Sequence, residues 1–157
     1  MKFKIQVLIM VFCANLCAAV PQSPIGFFKG FSWGTFGRNG DYIGPRAQES
    51  MRTMAQTGAN AVSIVFAMSM PTKSSTEIFY NDKNPYMASD EDVRNAIRLA
   101  KENNLKIMLK PTVNCNDGTW RGQIEPADWN KWWGNYSVAM TYYAKLAQDA
   151  NCEAYCI

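Results

Sequence analysis

The chain reads as an α/β protein on a parallel sheet. Short apolar runs rich in β-branched and aromatic residues alternate with longer stretches of helical periodicity, in the order β-α-β-α-β-α-β. Every run but the last is followed by a helix, which calls for right-handed crossovers between parallel strands. Two architectures satisfy that order. One is a four-stranded open sheet, complete as written. The other is the first half of an eight-fold β/α barrel, which takes ~250 residues where this chain has 157.

The elements follow in order. "FFKGFSW", Phe27–Trp33, is a short aromatic run between glycines and the first strand candidate. In "GPRAQESMRTMAQTGAN", Pro45 suits a first helical turn, and Ala47, Met51, Met54 and Ala55 recur at helical spacing. Gly58 is a fitting stop. "NAVSIVFAMSM", Asn60–Met70, is a buried strand. The polar stretch Pro71–Ala88 is long for a connection, a length typical of functional or mobile loops. "SDEDVRNAIRLAKENN" is a helix with Ser89 as its N-cap and Asp90, Glu91 and Asp92 at the positive end of its dipole. Val93, Ala96, Ile97 and Ala100 form one face. "LKIMLKPTV", Leu105–Val113, is the third strand, stopped by Pro111 and the turn-rich "NCNDGTW". "EPADWNKWWGNYSVAMTYYAKLAQDAN" is the third long helix, with Pro126 near its start, and "CEAYCI" is a fourth strand.

The amino end has a different character. Lys2 and Lys4 precede an apolar run from Ile5 to Leu16, and small residues follow. This pattern is that of a secretory signal peptide over residues 1–19, with cleavage after Ala18 or Ala19. A membrane anchor is the alternative, but the run is shorter than the ~20 residues a spanning helix needs, and Pro21 follows it. The expected product is therefore a secreted, extracellular domain over residues 20–157 that does not stay in a membrane. Net charge is +3; without Lys2 and Lys4 the basic residues number 14 against 13 acidic ones. That balance gives no basis for binding nucleic acid or a membrane surface. Cys13 and Cys17 leave with the leader, so Cys115, Cys152 and Cys156 remain. An odd count leaves one thiol free or paired outside this sequence. The chain has no histidine, which removes His-based triads and His metal sites, and no zinc-type cysteine spacing occurs. No metal or cofactor is expected.

Parallel α/β folds place their sites at the C-terminal ends of strands. Trp33, Lys110, Asn114, Trp120 and Arg121 lie at such ends or in the loops just past them, and they are the candidate substrate-binding residues. Lys110 stands between Leu109 and Pro111 at the end of an apolar strand, where a charge is costly unless it is paired or faces a polar cleft. The plainer alternative is an ammonium reaching water at the rim. "GTWRGQI" combines a turn glycine, an aromatic face and a charged donor, the parts a sugar cleft needs; packing of Trp120 under the rim is the alternative. Trp129, Trp132, Trp133, Tyr136 and Tyr143 are read first as packing on the third helix. Glycoside hydrolysis takes two carboxylates across one cleft, and no such pair is evident. Glu153 opens the fourth strand, at the stability end of a sheet, while Asp41, Asp82 and Asp117 are loop acids without a sequence partner. No catalytic residue is assigned. Asn135-Tyr136-Ser137 is an N-glycosylation sequon in the third helix.

Taken together, "GANAVSIVFAM", "SDEDVRNAIRLAKENNLKIMLKPTVN" and "GTWRGQIEPADWNKWWGNYSVAMTYYAKLA" resemble the amino-terminal half of glycoside hydrolase family 113. These are β-mannanase-like enzymes of the large clan A of retaining glycosidases. The resemblance runs from about Phe27 to Ile157, and "LKP", "WRG" and the W-x-x-W-W-x-x-Y run are its most specific parts. It implies an eight-fold β/α barrel, of which these are the first four β/α units, cut at strand four. It implies a polysaccharide or oligosaccharide substrate, and carries Lys110, Asn114, Trp120 and Arg121 over as cleft residues. The family's general acid/base is a glutamate just after strand four and its nucleophile a glutamate after strand seven. Neither position occurs in this sequence, so the chain is expected to be inactive as it stands. The competing expectations are a non-catalytic carbohydrate-binding α/β protein and a secreted α/β domain with no link to sugars.

Overall fold

The computed structural model describes residues 25–34, 37–81 and 87–157. The expected leader lies outside them, as does Asp82. The elements are β1 (Gly30–Gly34), α1 (Pro45–Gln56), β2 (Ala61–Met70), α2 (Asp90–Glu102), β3 (Lys106–Cys115), α3 (Trp129–Asp149) and β4 (Ala154–Tyr155), with a 3₁₀ turn at Arg121–Gln123. The strands form one sheet in the order β1-β2-β3-β4, and every neighbouring pair is parallel. Sequential order means the sheet winds one way, without the reversal that marks a doubly wound open sheet.

β3 shows what each face of the sheet does. Its odd-numbered residues from Ile107 to Cys115 are buried and its even-numbered residues from Lys106 to Asn114 are only half-buried. Of the odd set, Ile107, Leu109, Val113 and Cys115 pack with Val62, Ile64, Phe66, Met68 and Met70 of β2, and with the apolar faces of α1, α2 and α3. This is the hydrophobic core, between sheet and helices. The even set lies on the opposite, inner face. Such a division, helices on one side and strand side chains converging on the other, is that of a segment of β/α barrel wall.

Local chemistry sets the element ends. Ser89 caps α2 by accepting the Asp92 N–H, and Asp92 returns the bond to the Ser89 N–H, completing a capping box. α3 begins at Trp129 because Asp128 caps it, with its carboxylate accepting the Lys131 N–H at 3.0 Å. The expected start near Pro126 is thus displaced by one turn.

Three strand limits differ from expectation. β1 starts at Gly30 rather than Phe27, because the backbone before it bonds to a side chain instead of a ladder. The Lys29 N–H donates to Asn60 Oδ1 at 2.7 Å, and Asn60 Nδ2 donates to the Phe27 carbonyl at 3.0 Å. At Gly30 a Cβ would stand 1.7 Å from the Ala61 carbonyl oxygen, so only glycine lets the strands approach there. β3 runs through Pro111 to Cys115 instead of stopping. The Lys106 N–H donates to Asn60 on the β2 side, while the Leu109 carbonyl accepts the Cys156 N–H on the β4 side. Backbone groups alternate sides along a strand, so the missing Pro111 N–H faces β4 and costs the β2–β3 ladder nothing. β4 is only Ala154–Tyr155, against the six residues of "CEAYCI".

The long β2–α2 loop is pinned along its described part. Ser69 and Phe79 exchange backbone hydrogen bonds of 2.9 and 2.7 Å, Glu125 and Ala127 donate to the carbonyls of Lys73 and Ser74, and the Asn81 N–H donates to the Tyr143 hydroxyl.

Candidate functional site

The loops that follow β1, β2 and β3 meet above the C-terminal end of the sheet and enclose a cleft of about 1080 Å³. Arg38 and Asn39 come from the first loop, Pro71, Phe79 and Met87 from the second, and Cys115, Asn116, Asp117 and Gly118 from the third. The lining pairs apolar side chains with two carboxamides, one cation and one anion. It suits a ligand with apolar faces and many hydroxyls.

Asp117 is the carboxylate of this lining among the described residues. Hydrogen bonds from the Thr119 backbone and hydroxyl hold its carboxyl below the usual carboxylate range; the Thr119 N–H lies 2.9 Å from Oδ1. It is therefore an anion that accepts hydrogen bonds, and it has no second carboxylate facing it in the lining. Burial, and then the Asp117 charge, push the neighbouring Cys115 thiol up, so it stays protonated.

The sequence-predicted residues divide into three groups. Lys110 and Asn114 are half-buried on the inner face of β3, paired in register with Val65 and Ser69 of β2. Asn114 ends one residue before the cleft lining begins. No ion pair to Lys110 occurs among the described residues. Trp120 and Arg121 lie just past the cleft, where the 3₁₀ turn packs back on β3. Trp120 is 70 % exposed, and its ring covers Gly122, where a Cβ would come within 2.3 Å of the indole. Trp33 belongs elsewhere. It pairs in register with Ile64 of the helix-side core, its indole N–H donates to Ser50 of α1 at 2.9 Å, and its ring packs edge-on against Tyr42. It serves the helix layer and does not face the inner side.

Among the other residues weighed, Glu153 sits at the far end of the sheet, where it accepts the Ile107 N–H at 2.7 Å and caps the start of β3. Trp132 and Tyr143 are buried on α3, while Trp129 and Trp133 are about half exposed. Asn135 is half-buried and its amide donates to the Thr76 carbonyl at 2.8 Å.

Sequence reasoning passed over Arg38, Asn39 and Asn116, which are ordinary polar loop residues until three loops converge. It also passed over Ser63 and Ser69, which share the inner face with Lys110 and Asn114. Their hydroxyls are buried without a hydrogen-bond partner among the described residues. Their signal was present: two serines at an even spacing in an otherwise apolar strand must lie on one face.

Comparison with known proteins decides what this wall belongs to. Residues 31–157 match the model of Glycoside Hydrolase Family 113. The chain belongs to glycoside hydrolase family 113. The family 113 β-mannanase AaManA from Alicyclobacillus acidocaldarius, solved in complex with ManMIm, is 36% identical with a TM-score of 0.78. That alignment covers 85% of this chain and 45% of the mannanase. Two structures of a family 113 β-1,4-mannanase, one of them a complex, each give 36% identity and a TM-score of 0.75, over 82% of this chain and 44% of theirs. The chain thus spans less than half the length of these family 113 structures, and its three β/α units and fourth strand correspond to part of their barrel. No curated protein matches the chain.

Proposed function

We propose that this chain forms the sugar-binding wall of a secreted retaining glycoside hydrolase acting on β-linked, mannan-like polysaccharide. The observation that carries the reading is the family 113 match over residues 31–157, together with a three-loop cleft at the C-terminal end of its sheet. In that cleft the apolar side chains of Phe79 and Met87 meet the faces of a pyranose. Arg38, Asn39 and Asn116 donate to its hydroxyls, and the Asp117 carboxylate accepts from them. Lys110 and Asn114 project from the inner face of β3 toward the same substrate, and Trp120 offers an exposed ring at the rim.

Retaining hydrolysis takes two carboxylates roughly 5–5.5 Å apart, one protonating the glycosidic oxygen and the other attacking the anomeric carbon. Asp117 alone cannot fill both roles. The 157-residue chain by itself therefore binds saccharide without cleaving it. Calorimetric titration of the purified chain with linear manno-oligosaccharides, followed by chromatography of the mixture, tests both halves. Binding with no shortened products is expected. Released sugars would overturn the non-catalytic part, and absence of binding to any β-linked hexose oligomer would overturn the substrate class. Secretion is tested separately: expressed from residue 1 in a eukaryotic host, the chain should reach the medium with its new amino terminus at Ala19 or Val20.

A further inference from the structure

We propose that Asp92 is a positioning residue for the sugar cleft, holding the first loop in place from the amino end of α2. The sequence assigns Asp92 to the helix dipole, and the capping box accounts for part of its bonding. The carboxylate does more than cap. It is wholly buried, and besides the Ser89 N–H and hydroxyl it accepts the Gly40 N–H at 3.0 Å on each oxygen and the Tyr42 N–H at 3.2 Å. Gly40 and Tyr42 belong to the β1–α1 loop, fifty or more positions away in sequence. One turn along α2, Asn95 completes the grip by donating its amide to the Tyr42 carbonyl at 2.6 Å. The held segment begins immediately after Arg38 and Asn39, the two residues by which this loop lines the cleft.

The chemistry explains why the grip is a carboxylate. A buried anion is costly unless it is saturated with donors, and here every donor is neutral: the Ser89 N–H and hydroxyl at the amino end of α2, and the Gly40 and Tyr42 N–H groups of the loop. Charge-assisted bonds of this kind are about twice as strong as neutral ones. They also leave the loop one arrangement, because moving Gly40 or Tyr42 would strip donors from the buried charge. Tyr42 is fixed at its other end too, its hydroxyl donating to the Val65 carbonyl at 2.6 Å. The loop that carries Arg38 and Asn39 is thereby preorganised, and a ligand does not have to order it on binding.

This inference rests on the proposed sugar-binding role, and the test separates the two. Asp92→Asn, Asn95→Ala and Ser89→Ala are compared in the 157-residue chain by amide hydrogen exchange and by manno-oligosaccharide titration. Ser89→Ala weakens the cap but leaves the carboxylate bonded to the loop, so it should lower Tm with Kd and the exchange of Gly40 and Tyr42 little changed. Asp92→Asn should speed exchange at Gly40 and Tyr42 and raise Kd about tenfold, the size of a charge-assisted bond lost. Asn95→Ala, which keeps the helix cap intact, should do the same to a smaller degree and guards against a failure of Asp92→Asn to fold. Equal effects of all three on Kd, in proportion to lost stability, would overturn the proposal, as would unchanged exchange at Gly40 and Tyr42. Should the unaltered chain bind no saccharide, the proposed function fails, and the exchange data still decide whether Asp92 and Asn95 order the loop.

Discussion

A single missing Cβ keeps the Trp120 ring where it is. The indole lies over Gly122 so closely that alanine there would push into its outer carbons. Gly122→Ala should change stability by no more than about 0.5 kcal/mol, as surface substitutions generally do, yet shift the Trp120 fluorescence and weaken saccharide binding. Fluorescence titration of the variant checks both. Cys152 makes a second residue-scale prediction. Burial pushes its thiol from 9.0 up to about 11, against the opposing pull of the Lys101 ammonium. A raised folded-state value means the native chain holds that proton more tightly than the unfolded one. The stability this contributes is complete below pH 9 and is lost as pH rises toward 11. Burial raises Cys115, Tyr136 and Tyr155 in the same direction. Tm should therefore fall between pH 9 and 11, and Cys152→Ala should make the fall shallower. None of this is visible in the sequence, because burial and ring placement are products of the tertiary fold.

At the scale of elements, the sequence is most informative where a local signal is strong. Ser89 is an N-cap in sequence and in structure, and Val93, Ala96, Ile97 and Ala100 are all buried as their spacing implies. Ser89→Ala should cost about 1 kcal/mol, read as a lower midpoint in chemical denaturation with the slope unchanged. Strand limits were harder to read, for a physical reason. Pro111 looks like a stop because proline lacks an N–H, and whether that matters depends on which neighbour the residue faces. β1 is shortened by the side chain of Asn60, thirty residues further along the chain. Trp33 differs from expectation for a related cause. It stands near the end of β1, but the face it occupies follows from its register with Ile64. Lys110 stands out in sequence as a charge between Leu109 and Pro111, and β3 carries it, with Asn114, on the half-buried inner face.

For the whole molecule, alternation of strands and helices already pointed to a parallel sheet, and the one-way order β1-β2-β3-β4 identifies it as barrel wall. None of the five candidate residues lines the cleft itself; the sequence points only to its neighbourhood, on either side of the third loop. Its third loop follows a strand with unusual polar residues, whereas the first two contribute through convergence in space. On the proposed function, saccharide binds above the C-terminal end of this sheet. The most direct test is titration of the isotope-labelled chain with a linear manno-oligosaccharide, followed by the backbone and indole amide resonances. Shifts concentrated at Arg38, Asn39, Asn114, Asn116–Gly118 and the Trp120 indole are expected. Shifts confined to the opposite end, around Asn60, Lys106 and Glu153, would contradict it, as would a spectrum that saturating ligand leaves unchanged.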